Sequence, residues 1–180
     1  GGQVFFHPRF DPVRDGSRVM AEVQRIVLRE TAYNVTLRIR CSPGLRVVKQ
    51  FGEFHLHGAT DIETGTWDAD KTFSALIRHD GRLEESREAY FQCATLYTTA
   101  TGERRVRCHT LATPVSSVLG NVFRYADMDS AVAYYAKEAA TLALTKPLKD
   151  VRNYLTSKCV AILLAYRRNC ASSTSPCLLY

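Results

Sequence analysis

The stretch Tyr90–Val115, YFQCATLYTTATGERRVRCHTLATPV, constrains the fold most, because it reads as two strands joined by a tight polar turn. Cys93, Thr95 and Tyr97 alternate with Ala94, Leu96 and Thr98, the period of two that a strand with distinct faces produces. Thr99–Glu103 follows, and Gly102 can supply the positive φ such a loop often needs. Arg104–Leu111 then sets Arg105, Arg107 and His109 on one face, with Val106, Cys108 and Thr110 on the other. One face is therefore expected on a core and the other on a partner.

The same period runs from Val35 to Ala112. Val35, Leu37, Ile39 and Cys41 alternate with Thr36, Arg38 and Arg40; Ser42-Pro43-Gly44 marks a turn. Leu45–Phe54 and Thr72–Arg78 read as further strands, Trp67–Lys71 as a polar connection and Arg82–Arg87 as a charged loop. No helix-length crossover separates these strands, so the pattern predicts an antiparallel β-sandwich in an α+β chain rather than a parallel sheet.

Helical spacing brackets this region. Val4-Phe5-Phe6 reads as a short strand closed by Pro8 and by Asp11-Pro12, and Asp15-Gly16-Ser17 as the cap of the next helix. In that helix Val19, Val23, Ile26 and Val27 are expected inward and Arg18, Arg25 and Arg29 outward, with Thr31–Asn34 as a joint. Beyond Pro114, Asp127 is positioned to cap a helix through Leu144, with Met128, Val132, Tyr135, Ala139 and Leu142 on one side. Pro147 suits the first turn of the next helix. There Val151, Leu155, Cys159, Ile162 and Tyr166 form an amphipathic stripe, ended by Ser172–Pro176.

At 180 residues with 46% hydrophobic content, the chain can bury a core and is not disordered in composition. A net charge of +6, carried mainly by arginine, favours an acidic partner surface: anionic lipid, acidic peptide or nucleic acid. No apolar run approaches the roughly 20 residues of a membrane span. Gly1-Gly2 without a Met reads as a processed or truncated start, with nothing like a signal peptide.

Six cysteines occur without a CxxC pair, so a zinc site is not expected; Cys93, Cys108 and Cys159 read as reduced packing residues, which implies a cytosolic chain. His55 and His57 share a strand face but lack a third ligand. Asp61, Glu63, Asp68 and Asp70 lack the glycine and distal glutamate of a calcium loop and read as a solvated connection. Neither GxSxG, GxGxxG nor GxxxxGK is present, which argues against catalysis and nucleotide binding. Arg38, Arg40, Arg104, Arg105 and Arg107 remain open to three readings: stems covering a sheet face, a protein or lipid contact, or a nucleic-acid footprint. Only Tyr97 is near enough to supply the stacking that single-strand binders use.

Leu96-Tyr97-Thr98, the short turn, Gly102-Glu103-Arg104-Arg105-Val106-Arg107 and Thr110-Leu111 together resemble the β-sandwich signature of the Sec23/Sec24 family of COPII vesicle-coat proteins. Gly1–Phe5 resembles the last strand of the family's von Willebrand A-like trunk, Asp15–Glu30 its closing helix, and Val35–Ser42 the first sandwich strand. Gly52, Phe54, Thr60–Glu63 and Asp70-Lys71 fit the strands that follow. Ala126–Asp129 and Tyr166–Ser172 resemble the helical domain and fit the cargo-adaptor branch. Ser173–Tyr180 departs from the family's continuation into further helices.

The resemblance implies a trunk end at 1–34, a β-sandwich at 35–117 and a partial helical domain at 118–180. It further implies a non-catalytic coat adaptor for transport from endoplasmic reticulum to Golgi, cytoplasmic and peripheral at endoplasmic reticulum exit sites and on vesicles. Its partners would be a GTPase-activating sister subunit, outer-coat proteins, a small GTPase, cargo cytoplasmic tails and acidic membrane. The one zinc expected belongs to a module upstream of this segment, and no cofactor is expected within it. By the same resemblance, Leu96, Tyr97, Arg104, Arg105 and Arg107 lie nearest a cargo pocket. The competing class is a basic nucleic-acid-binding β-domain with a helical appendage.

Overall fold

In a computed structural model that describes residues 3–58 and 60–170, the chain forms two units. One comprises residues 3–40, 52–73 and 92–110; the other comprises 41–51, 74–91 and 111–170. The Ser172–Pro176 stop, Cys177 and the Gly1-Gly2 start lie outside the described residues.

The first unit is built on helix α1 (Pro12–Leu28) and the larger part of a five-stranded sheet, whose residues 41, 88–91 and 111–114 fall in the second. Its strands are β1 (Thr31–Cys41), β3 (His55–His57), β4 (Asp61–Asp68), β6 (Glu88–Thr98) and β7 (Arg104–Pro114), in the order β3-β4-β1-β6-β7. β1 and β4 are antiparallel, with Val35 opposite Thr64, Leu37 opposite Ile62 and Arg38 opposite Asp61. Val35, Leu37 and Ile62 are buried, so the core sits over this central pair. β7 is the edge.

Three expectations for this unit are corrected. Val4–Phe6 is not a strand: residues 3–7 carry no regular structure, and Val4 is 92% exposed. A strand needs a neighbour to satisfy its amides, and no described segment pairs with this one. Helix α1 starts earlier than Asp15, because the Asp11 carboxylate accepts from the amides of Val13 (2.8 Å) and Arg14 (3.0 Å), with Pro12 in the first turn. β1 likewise begins at Thr31 instead of following a joint through Asn34. Asn34 sits inside it at φ 48°, between the pairs Tyr33–Thr66 and Val35–Thr64.

The polarity of α1 is only partly as expected: Val19 is half-buried and Arg18 exposed, but no residue of the helix is buried. Arg29 and Arg25, expected outward, anchor the helix: Arg29 reaches Asp68 at 2.9 Å and Asp70 at 2.6 Å, and Arg25 reaches Asp70 at 2.5 Å. Val23, Ile26 and Val27 are exposed. Asp68 and Asp70, read from sequence as solvated, are therefore counter-ions, and the Asp68 side chain is only 5% exposed. Buried carboxylates persist only when paired or hydrogen-bonded, and Asp68 also accepts the amide of Asp70 at 2.9 Å.

The second unit pairs β2 (Leu45–Phe51) with β5 (Ser74–His79) antiparallel, and adds α2 (Leu119–Arg124), α3 (Met128–Ala143) and α4 (Leu148–Asn169). Asp127 caps α3 as the sequence predicts, accepting from Asp129 N–H at 3.2 Å. The α4 stripe is largely as read: Val151 is buried, and Leu155, Ile162 and Tyr166 are half-buried, but Cys159 is exposed. On α3, Met128 and Val132 are exposed, and the buried position is Glu138. Its carboxylate accepts from the Tyr154 hydroxyl at 2.9 Å and pairs with Lys49 at 3.6 Å. Burial, then that carboxylate, pushes both Tyr134 and Tyr154 up to about 12.

Candidate functional site

The hairpin that opened the sequence reading forms as expected. The Thr99 amide donates to the Glu103 carbonyl at 2.9 Å, the Glu103 amide donates to the Thr99 hydroxyl at 3.1 Å, and Gly102 takes φ 87°. The two strands it joins are neighbours in the sheet, so Leu96 and Tyr97 on β6 and Arg104, Arg105 and Arg107 on β7 lie in one region. Leu96 is exposed and Tyr97 half-buried.

The expected division of β7 into a core face and a wet face does not hold. Val106 is 66% exposed and Cys108 is also exposed, so both faces of the arginine strand are open. An edge strand is flanked on one side only, and no described element covers this one's apolar face. Cys108 is thus not a packing residue. Cys41 and Cys93 are half-buried, and burial raises both thiols above their ordinary values; Cys170 is exposed.

The five arginines separate by what they touch. Arg38 is consumed in an ion pair with Asp61 across β1 and β4, which holds that carboxyl below its ordinary value. Arg104 reaches over β6: its Nη1 donates to the Asn34 carbonyl at 2.7 Å and the Thr98 hydroxyl at 2.9 Å. Its guanidinium thereby satisfies a carbonyl on the one β1 residue with positive φ. Arg105 pairs with Glu103, which, with the Tyr97 phenol as a smaller contributor, raises the guanidinium above its ordinary value. Arg107 and Arg40 are exposed and make no hydrogen bond or ion pair among the described residues.

Chemically this is an anion-receiving edge. Arg105 and Arg107 stand two residues apart and share a face, roughly 7 Å apart along the strand. Fork-shaped guanidinium groups suit carboxylates. Tyr97 is the only aromatic among the five site positions, which gives no ladder on which successive bases could stack. Sequence reasoning missed Asn34, whose contact with Arg104 spans 70 residues and leaves no local signal. It also missed Glu103, whose signal was local: an acid at the loop's end, two residues before Arg105. His55 and His57 are exposed on the three-residue strand β3, and no three potential metal ligands cluster among the described residues.

Comparison with known proteins gives a consistent result. A family model described as "Sec23/Sec24 beta-sandwich domain" matches residues 32–116, and one described as "Sec23/Sec24 helical domain" matches residues 127–179. Human "Protein transport protein Sec24C" is 38% identical over 175 residues, covering 97% of this chain and 16% of the relative. "Protein transport protein SEC24 B" of Arabidopsis thaliana is 37% identical over 97% of this chain and 16% of its own length. The crystal structure of the human COPII-coat protein Sec24c superposes with a TM-score of 0.89 at 37% identity, covering 94% of this chain and 22% of that one. The α+β class with an antiparallel β-sandwich stands on that match. The chain spans about a sixth of the length of the curated relatives it matches.

Proposed function

The chain belongs to the Sec23/Sec24 family, and from that premise we propose that it is a segment of a non-catalytic COPII inner-coat cargo adaptor acting in transport from endoplasmic reticulum to Golgi. The observation that carries this reading is the 38% identity to a Sec24 transport protein across 97% of the chain. Trunk-end, sandwich and helical divisions at 1–34, 35–117 and 118–180 are proposed with it. The protein works in the cytoplasm, peripherally on acidic membrane at exit sites and on vesicles. Its partners are the GTPase-activating sister subunit, the outer coat, the small GTPase and cargo tails, and this segment requires no cofactor.

The β7 edge is proposed as a contact for acidic segments of cargo tails, with Arg105 and Arg107 supplying charge and Tyr97, on their face, supplying apolar surface; Leu96 lies on the other face of β6 with Thr98, the partner of Arg104. Support comes from the exposure of Arg105 and Arg107, from the half-buried Tyr97 beside them, and from the lack of an ion-pair partner for Arg107 among the described residues. Arg104 is removed from the contact set, since its Nη1 is engaged on the Asn34 carbonyl and Thr98, which holds it on the face away from Arg105 and Arg107.

The test is recruitment of the intact protein to neutral liposomes displaying acidic tail peptides, with peptide-free liposomes as control. Reversing Arg105 and Arg107 to glutamate should abolish most recruitment, and wild-type recruitment should fall with salt, because exposed charges are screened within about 10 Å at 0.1 M. Recruitment that survives both the reversal and the salt rules this edge out as the cargo contact.

A further inference from the structure

The three guanidinium groups of β7 are in three different states. Arg104 is spent on the sheet, Arg107 makes no ion pair among the described residues, and Arg105 is occupied by an acid from its own turn. That acid is unusually well placed. Glu103 is held through both its amide and its carbonyl by Thr99, and the Thr99 and Thr101 hydroxyls meet at 2.8 Å inside the same loop. Its carboxylate is thus tethered beside Arg105 at high effective concentration. Both side chains remain 58% exposed. An exposed pair of this kind is weak and reversible, unlike a buried one, which resists opening.

We infer that Glu103 is an intramolecular competitor for Arg105, which an acidic segment must displace before it can engage both arginines of the strand. The inference rests on the cargo-contact reading of this edge. Its consequence is selectivity. A single carboxylate gains little at Arg105, because it exchanges one acid for another already tethered there. A segment with several carboxylates binds Arg107 first and then displaces Glu103 with its second acid, which is by then also local. The turn therefore filters for multiply acidic segments over isolated charges.

The experiment uses the intact protein and a fluorescein-labelled hexaglutamate peptide, with hexaglutamine as control, read by anisotropy at low salt. Glu103→Gln should tighten hexaglutamate binding about two- to fivefold, the range an exposed ion pair can withhold. In an Arg105→Ala background the same substitution should change binding less than about 1.5-fold, since a competitor without its target has nothing to block. Unchanged or weaker binding by Glu103→Gln, with Arg107→Ala still weakening it, overturns the competitor and leaves the cargo edge standing. Equal tightening with and without Arg105 overturns it too, because the effect is then general charge. Indifference of hexaglutamate to both Arg105→Ala and Arg107→Ala overturns the parent reading and this one together.

Discussion

In one five-stranded sheet, the central pair β1–β4 and the edge strand β7 both carry arginine, with opposite outcomes. At the centre Arg38 meets Asp61 and the largely buried Arg29, which caps α1, meets Asp68, while Arg40 on β1 is exposed and makes no ion pair among the described residues. At the edge, Arg104 is satisfied by a backbone carbonyl, Arg105 by an exposed acid of its own turn, and Arg107 by no ion pair among the described residues. Charge near the core must be neutralised locally, since an unpaired buried ion is costly. Charge at an open edge is under no such demand and is left for a partner. The same residue type therefore reports stability in one place and binding in the other.

Substitutions can break that division, beginning with the largest effect. Ile62 is fully buried opposite Leu37, so Ile62→Ala should cost about 4 kcal/mol in urea unfolding. A loss under about 1 kcal/mol would place the core elsewhere. Asp68→Ala removes the more buried of the two carboxylates that meet Arg29, leaving Asp70, and takes the acceptor from the Asp70 amide; it should cost about 2 kcal/mol by the same assay. Arg104→Ala removes two hydrogen bonds at the hairpin's end and should cost about 1 kcal/mol while leaving peptide binding intact. Loss of binding at full stability would return Arg104 to the contact set.

A fourth expectation concerns acid. Hydrogen bonding to Arg25, followed by the charges of Arg25 and Arg29, holds the Asp70 carboxyl below 3.8. Its folded pKa is depressed, so its contribution is complete above 3.8 and is lost as pH falls through the lowered value. Trp67, the single tryptophan, lies on β4 just before this cluster and reports on it. Its fluorescence should hold steady from neutral pH to about 4 and change below, with the change muted in Asp70→Asn. A transition centred well above 4 would assign it to other groups.

What was legible in the sequence was local. The β6–β7 hairpin followed from alternation and one glycine, the α3 cap from Asp127, and the α4 stripe from spacing that put Val151 inside. What stayed hidden depended on partners far along the chain. The spacing of Val23, Ile26 and Val27 correctly signals a helix, yet all three are exposed, and the end of the helix is tied down by Arg25 finding Asp70, 45 residues away. Asp11-Pro12 reads as a stop after Val4–Phe6 yet starts a helix, because aspartate and proline serve both ends of loops. For the site, the neighbourhood of Leu96, Tyr97 and the β7 arginines was legible. The split among those arginines was not, since it turns on Asn34 across the sheet and on whether Glu103 points at its neighbour.

The division between fold and edge is tested most directly by Arg107→Glu in the intact protein, with melting and acidic-peptide recruitment measured on the same sample. Arg107 is exposed and lacks an ion pair among the described residues, so the melt should stay within about 0.5 kcal/mol of wild type. Recruitment should fall sharply and fall less at high salt, where the wild type is already weakened. Wild-type recruitment with a normal melt, or a melt that collapses, would contradict the assignment of binding to the edge and stability to the centre.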